Sequence, residues 1–320
     1  MTDNTSGPDE RMLRVNAAVD DELDAANLLE LENEMRADPA LAAEYRLIAA
    51  TREAIRRHAP RETAPLALAE RVTALASAEA KADAAPRTGA PLTGRLPGIF
   101  RFARGSGGPP DRRPRWSGAQ ALALAASLGV LGFAAPGNDM TGSGAGSLAQ
   151  QRFRDIVPPL LDDAYALAKW LSRSAADAED IVQDAALRAL KGLESAAVER
   201  PRPWFLAIVR NTAMTWLARN RPRSLHYAGD LADLDAIDPR LGEDGPLDPE
   251  RTLIALEDGA RLREAMGRLP PLLLETLVMR DVNGLSYREI AEATEAPIGT
   301  VMSRLARARA AIVKAMRTEP

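Results

Sequence analysis

The chain has no cysteine in its 320 residues. That excludes disulfides and thiolate metal centres. Only two histidines are present, His58 and His226, so a zinc site is short of imidazole ligands too. Aromatic residues are 4% of the whole, while Ala and Leu dominate. Such a composition favours small helical modules over one large core, and the length predicts two or three domains. No Gly-rich phosphate loop follows a strand pattern, and no nucleophile–base pairing stands out. The expectation is a non-enzyme with no catalytic residues, no cofactor and no metal. The first residues carry no apolar signal-peptide core. A formal charge of −4 argues against a protein that coats nucleic acid generally.

The most informative stretch runs from Leu285 to Ala315. Ser286 followed by Glu289 forms a capping box, and Leu285 with Ile290 can close a hydrophobic staple. A first helix is predicted from Tyr287 to about Thr294. Glu295 and Ala296 make a brief turn, and Pro297 opens a second helix. In that helix Ile298, Val301, Met302, Leu305, Ala308 and Ile312 share an apolar face. Thr300, Ser303, Arg304 and Arg307 turn the other way. Between Pro297 and Arg317 there are five basic residues and no acid. Two short helices, a tight turn and a basic face describe a helix-turn-helix aimed at a polyanion.

The run RLPPLLLETLVMRDVNGLSYREIAEATEAPIGTVMSRLARARAAI resembles region 4 of the extracytoplasmic-function sigma factors of bacterial RNA polymerase. The resemblance implies that Thr300, Ser303, Arg304 and Arg307 lie in the major groove of the minus-thirty-five element, where Arg can pair bidentately with guanine. Glu295 stands where relatives often carry Gly, so a positive φ there would cost energy.

A second helical module is predicted from Leu148 to Arg223. Leu160, Ala164, Leu167, Ala168 and Leu171 mark one helix. Ser174 caps the next, with Asp177 at its third position, and Val182, Ala186, Ala189, Leu190 and Leu193 form its apolar face. Pro201 and Pro203 are expected to break the chain. Phe205, Ile208, Val209, Thr212, Trp216 and Leu217 define a further helix that runs into Arg219, Arg221 and Arg223. This module looks like sigma region 2. The resemblance makes Asp177, Asp180, Gln183 and Asp184 polymerase-binding residues on the helix that docks on the clamp. It makes Ser195 to Pro203 the loop that holds a flipped minus-ten base. It assigns Arg202, Arg210, Asn211, Arg219 and Arg221 to the opened minus-ten strand. Trp216 reads as a core anchor.

At the other end, Glu10 to Ala59 has a helical rhythm. Asp24 caps one helix, and Asp38 with Pro39 opens another. Met1 to His58 carry 13 acids and 7 bases. Phrases such as VDDELDAA and ADPALAAE resemble the cytoplasmic head of anti-sigma factors, in a version without the zinc ligands. Residues 81–115 form a Pro/Gly-rich linker with eight bases against two acids. Residues 116–138 carry no charge and are long enough to span a membrane. The basic cluster at Arg112, Arg113 and Arg115 would keep the preceding side cytoplasmic. A true span would export a module that belongs with polymerase. The alternatives are a segment lying at the inner membrane, a span that no longer inserts, or a fusion of two normally separate proteins.

The expected architecture is all-α. It comprises a head at 1–80, the linker 81–115, the hydrophobic helix 116–138, a flexible joint 139–150, region 2 at 151–223, an acidic connector 224–257, and region 4 at 258–320. The expected partners are core RNA polymerase, promoter DNA, and an anti-sigma-like head in cis or a separate anti-sigma factor. The expected location is the cytoplasm, either free or associated with the inner membrane through residues 116–138. Competing readings are a membrane-bound signalling receptor and a one-component helix-turn-helix regulator.

Overall fold

A computed structural model describes residues 8–59, 61–83, 142–195, 197–220 and 258–318. Among these residues every regular element is helical. None of the described helices is long and apolar enough to cross a membrane. The candidate span 116–138 and the connector 224–257 lie outside the described residues.

The head begins with α1 (Pro8–Val19), α2 (Ala25–Ala37) and α3 (Pro39–His58). Both predicted caps are present. The Asp24 carboxylate accepts from the backbone N–H of Ala26 and Asn27, and that of Asp38 from Ala40 and Leu41. Asp38 is also paired with Arg11, which ties α1 to the α2–α3 corner. A fourth helix, α4 (Leu66–Asp83), adds to the three that the sequence pattern predicts for the head. It leaves the rest of the head and lies against the central module, burying Leu68 and Val72.

The central module comprises α5 (Gly142–Ile156), a 3-10 turn (Pro158–Leu160), α6 (Leu161–Ser172), α7 (Ala175–Ser195) and α8 (Pro201–Asn220). Phe153, Leu167, Leu171, Ile181, Leu190, Phe205 and Val209 fill its core. Ser174 caps α7 as expected, its hydroxyl accepting from the Asp177 N–H at 3.3 Å. Pro201 does not break the chain; it is the first residue of α8, where its missing N–H costs nothing. The expected loop from Ser195 to Pro203 is correspondingly shorter. Gly192 lets Trp204 approach α7, since a Cβ there would meet the indole at 3.3 Å. Trp204 and Trp216 are half-buried and pack against the core.

The C-terminal module comprises α9 (Gly259–Arg268), α10 (Pro271–Leu277), a π-helical turn (Val278–Val282), α11 (Tyr287–Thr294) and α12 (Ile298–Thr318). The three units pack together. α1 and α3 lie on α12, α3 also meets α9 and the π-turn, α8 packs on α11, and α10 meets α6.

Candidate nucleic-acid interface

The helix-turn-helix forms as its sequence requires. Ser286 and Glu289 make a complete capping box, and the staple residues Leu285 and Ile290 are fully buried. Glu295 ends α11 in the left-handed conformation at φ 53°, so the cost of a non-glycine residue in that turn applies. On α12, Val301, Leu305, Ala308 and Ile312 are buried, whereas Ile298 is exposed. Thr300, Ser303 and Arg307 are half-buried. The Ser303 hydroxyl is bound to the Thr300 carbonyl. Arg304 does not stand free in solvent. Its side chain is 14% exposed and points towards the Glu275 carboxylate on α10, 3.8 Å away.

Glu275 is itself fully buried, and Arg210 on α8 holds it with two hydrogen bonds of 2.8 and 3.1 Å. Burial pushes the Glu275 carboxyl above its usual range, against the opposing pull of Arg210 and then Arg304. Burial likewise lowers the Arg304 pKa; Glu275 resists this and the Arg210 charge adds to it. So a central-module arginine and a recognition-helix arginine converge on one carboxylate. Arg202 is held in a similar way, by Asp163 at 3.0 Å and by the Asn283 carbonyl of the C-terminal module. Asn211 is exposed and accepts from Arg210 at 3.0 Å. Arg219 is exposed in the last turn of α8; Arg221 lies outside the described residues.

On α7, Asp180 and Asp184 are exposed, and Asp177 and Gln183 are half-buried. Asp184 pairs with Arg188 one turn on. Glu179, between Asp177 and Asp180 on the same helix, is bound by Arg71 from α4. The head therefore lies beside the expected polymerase-docking face. Around it, Lys169 is paired with Glu62, and the Ala64 N–H donates to Asp162.

The most deeply buried charges join the head to the C-terminal module. α1 ends in a Schellman turn. The Glu22 N–H bonds the Ala17 carbonyl, the Asp21 N–H bonds that of Ala18, and Asp21 is left-handed at φ 60°. This corner presents Asp20 and Glu22 to the other unit. Asp20 accepts from Arg309 at 2.7 Å and from the Tyr287 hydroxyl at 2.6 Å. Arg309 also binds Asp281 at 2.7 Å and the Asn16 amide oxygen at 3.1 Å. Arg280 donates to Glu22 at 3.0 Å and to the Asp20 carbonyl, and its guanidinium lies over the Tyr287 ring. Arg52 from α3 approaches Asp20 at 3.4 Å. Burial alone would raise the Asp20 pKa, yet Arg309, Tyr287 and Arg280 together hold it below the usual carboxylate value. Asp281 goes the other way, because its burial outweighs Arg309. Burial and Asp20 push the Tyr287 hydroxyl well above its ordinary value.

Asp20, Glu22, Glu275, Arg280 and Arg309 were not picked out from sequence. Arg309 could have been, since it follows Val301, Leu305 and Ala308 on the inward face of α12.

Residues 157–223 match Sigma-70 region 2, and residues 259–312 match Sigma-70, region 4. The ECF RNA polymerase sigma factor SigW of Bacillus subtilis is 28% identical over 171 residues, which is 52% of this chain and 90% of that protein. The ECF RNA polymerase sigma-E factor of Escherichia coli is 33% identical over 158 residues, 46% of this chain and 79% of that protein. Among solved structures, the sigma factor RpoE in complex with the anti-sigma factor NepR from Bartonella quintana aligns over 53% of this chain and 98% of that one, at 21% identity and a TM-score of 0.35. With two region assignments in chain order and a relative spanned over most of its length, the chain belongs to the ECF family of RNA polymerase sigma factors.

Proposed function

We propose that this chain is a non-catalytic promoter-recognition subunit, working in the cytoplasm with core RNA polymerase, whose own N-terminal head holds it closed. In this reading residues 1–80, with α4 running on to Asp83, are the inhibitory head, 151–223 are region 2 and 258–320 are region 4. Asp177, Asp180, Gln183 and Asp184 grip the polymerase. Arg202, Arg210, Asn211 and Arg219 hold the melted minus-ten strand, and Thr300, Ser303, Arg304 and Arg307 face the minus-thirty-five element.

The observation that carries the closed state is the placement of the head on both working units. The Asp20–Glu22 corner is bound within the region 4 unit, and α4 lies along α5 and α7 with Arg71 on Glu179. At the same time Arg202, Arg210 and Arg304 face carboxylates of this chain. The two-bond Arg210–Glu275 pair must open before Arg210 can present that edge to a phosphate. Being in the same chain, the head acts at a high effective concentration and needs no separate anti-sigma factor.

The experiment is run-off transcription with core polymerase, using the full chain and the chain lacking residues 1–139. The shortened chain should initiate RNA synthesis, and the full chain should do so several-fold less well. Equal activity would remove the inhibitory role; no synthesis from either would remove the sigma-factor role.

A further inference from the structure

One carboxylate, Glu275, faces two guanidinium groups from different modules. Arg210 takes both of its oxygens. Arg304, at 3.8 Å, is beyond hydrogen-bond reach, and its Nε and Nη1 are buried with no hydrogen-bond partner among the protein atoms. Leaving buried charged donors unmatched is unfavourable. The closed arrangement thus satisfies the region 2 arginine at the expense of the region 4 arginine. Arg304 and Glu275 belong to the same packed unit, since α10 and α12 lie against each other. When α8 leaves, the nearest cation to Glu275 is Arg304.

We propose that Glu275 exchanges partners, binding Arg210 in the closed chain and Arg304 in the open one, so that separation of the two regions and fixing of the recognition helix are a single event. The proposal rests on the sigma-factor reading for its consequence at DNA, but the exchange itself concerns only this chain. Glu275 is then a positioning residue for α12. In the open chain it braces Arg304 from behind and sets the side chains around it on α12. Arg210, released at the same moment, becomes available to a phosphate. Arg304 is a competitor for the latch as well as a candidate DNA contact, and its removal should therefore favour closure.

The absence of native cysteine makes the test direct. Cysteines placed at the exposed positions Lys191 and Arg288 of the full chain take a dye pair that reports the distance between the two regions. Arg210→Ala should shift the population towards the open state. Arg304→Ala should shift it the opposite way, by roughly threefold or more. Arg304→Gln, which keeps most of the side-chain volume, should shift it in the same direction and guards against loss of packing; helical circular dichroism checks the fold of each. If both Arg304 variants leave the distance distribution unchanged, or open the chain, the exchange is overturned and Glu275 is only a latch. The readout uses neither polymerase nor DNA, so failure of the sigma-factor reading would appear separately, as absence of transcription with the dye-pair shifts intact.

Discussion

Asp20 and Arg309 stand 289 residues apart in sequence and meet at 2.7 Å with both side chains shut off from solvent. A buried pair of this kind adds little net stability over an apolar contact, but breaking it is costly because a buried charge is left behind. It therefore specifies where the head docks more than how strongly. Around it Tyr287, Arg280, Asn16 and Asp281 leave few other placements for the α1–α2 corner.

Asp20→Ala should undock that corner. Arg309 would keep Asp281, and Arg280 would keep Glu22 and the residue 20 carbonyl, but Tyr287 would lose its acceptor and both arginines a buried counter-charge, at a cost of about 3–5 kcal/mol. Run-off transcription by the full-length variant should rise towards that of the chain lacking residues 1–139, by about tenfold or more. Unchanged transcription would mean that this cluster does not hold the closed state.

Docking should also depend on pH, with a definite sign. Docked, Asp20 faces Arg309, Arg280, Arg52, Tyr287 and Asp281, and its carboxyl is held below the ordinary value. Undocked, it titrates as an ordinary solvent-exposed aspartate. A depressed carboxylate stabilises the docked form above the undocked pKa, and that contribution is lost as pH falls through the lower, docked value. Asp281, on the π-turn, and Arg309, on α12, stay paired when the head leaves. The part of the Asp281 rise that comes from Asp20 is lost on undocking and works against the Asp20 trend, which the loss of every group facing Asp20 sets. A dye pair on Ala26→Cys and Lys314→Cys should show docking constant between about pH 5 and 7 and weakening below about pH 4. Docking that tightens on acidification would reverse the assignment.

Local signals in the sequence were read correctly because they depend on neighbouring residues. The Ser286–Glu289 capping box, the Asp24, Asp38 and Ser174 caps and the Leu285–Ile290 staple all follow from short-range chemistry. The docking network joins residues hundreds of positions apart, and no periodicity reports such a pairing. A charge count does not report orientation: of the five bases on α12, Arg309 points inward and Arg304 turns to Glu275. Pro201 beside Pro203 reads as a breaker in sequence, yet it serves as the first residue of a helix. α4 went unread because its mixture of Ala, Leu and charge gives a weak stripe before it meets α5 and α7.

Glu295→Gly should stabilise the C-terminal module. Glu295 is exposed and sits at φ 53°, a conformation that glycine adopts without a Cβ penalty. The helix-ending bonds from its own N–H and that of Ala296 to α11 carbonyls need no side chain. The gain should be about 0.5–1 kcal/mol. Urea denaturation of the full chain, followed by the helical signal of the transition that includes α9–α12, checks it through a higher midpoint at unchanged slope.

Arg210 and Arg219 share α8 but should behave differently on mutation. Arg210 is clamped by Glu275, so Arg210→Ala both loosens the closed chain and removes a candidate strand contact. The two effects oppose each other in transcription by the full chain. Arg219 is exposed in the last turn, away from Glu275. Arg219→Ala should leave the distance between the regions unchanged and weaken binding of the polymerase complex to promoter DNA. Losing one phosphate contact lowers the slope of log K against log salt by about 0.7–1, the lower figure applying to a single strand. Titration of promoter fragments at several salt concentrations measures that slope. A variant with weaker binding but an unaltered slope would show that Arg219 supports α8 rather than touching the DNA backbone.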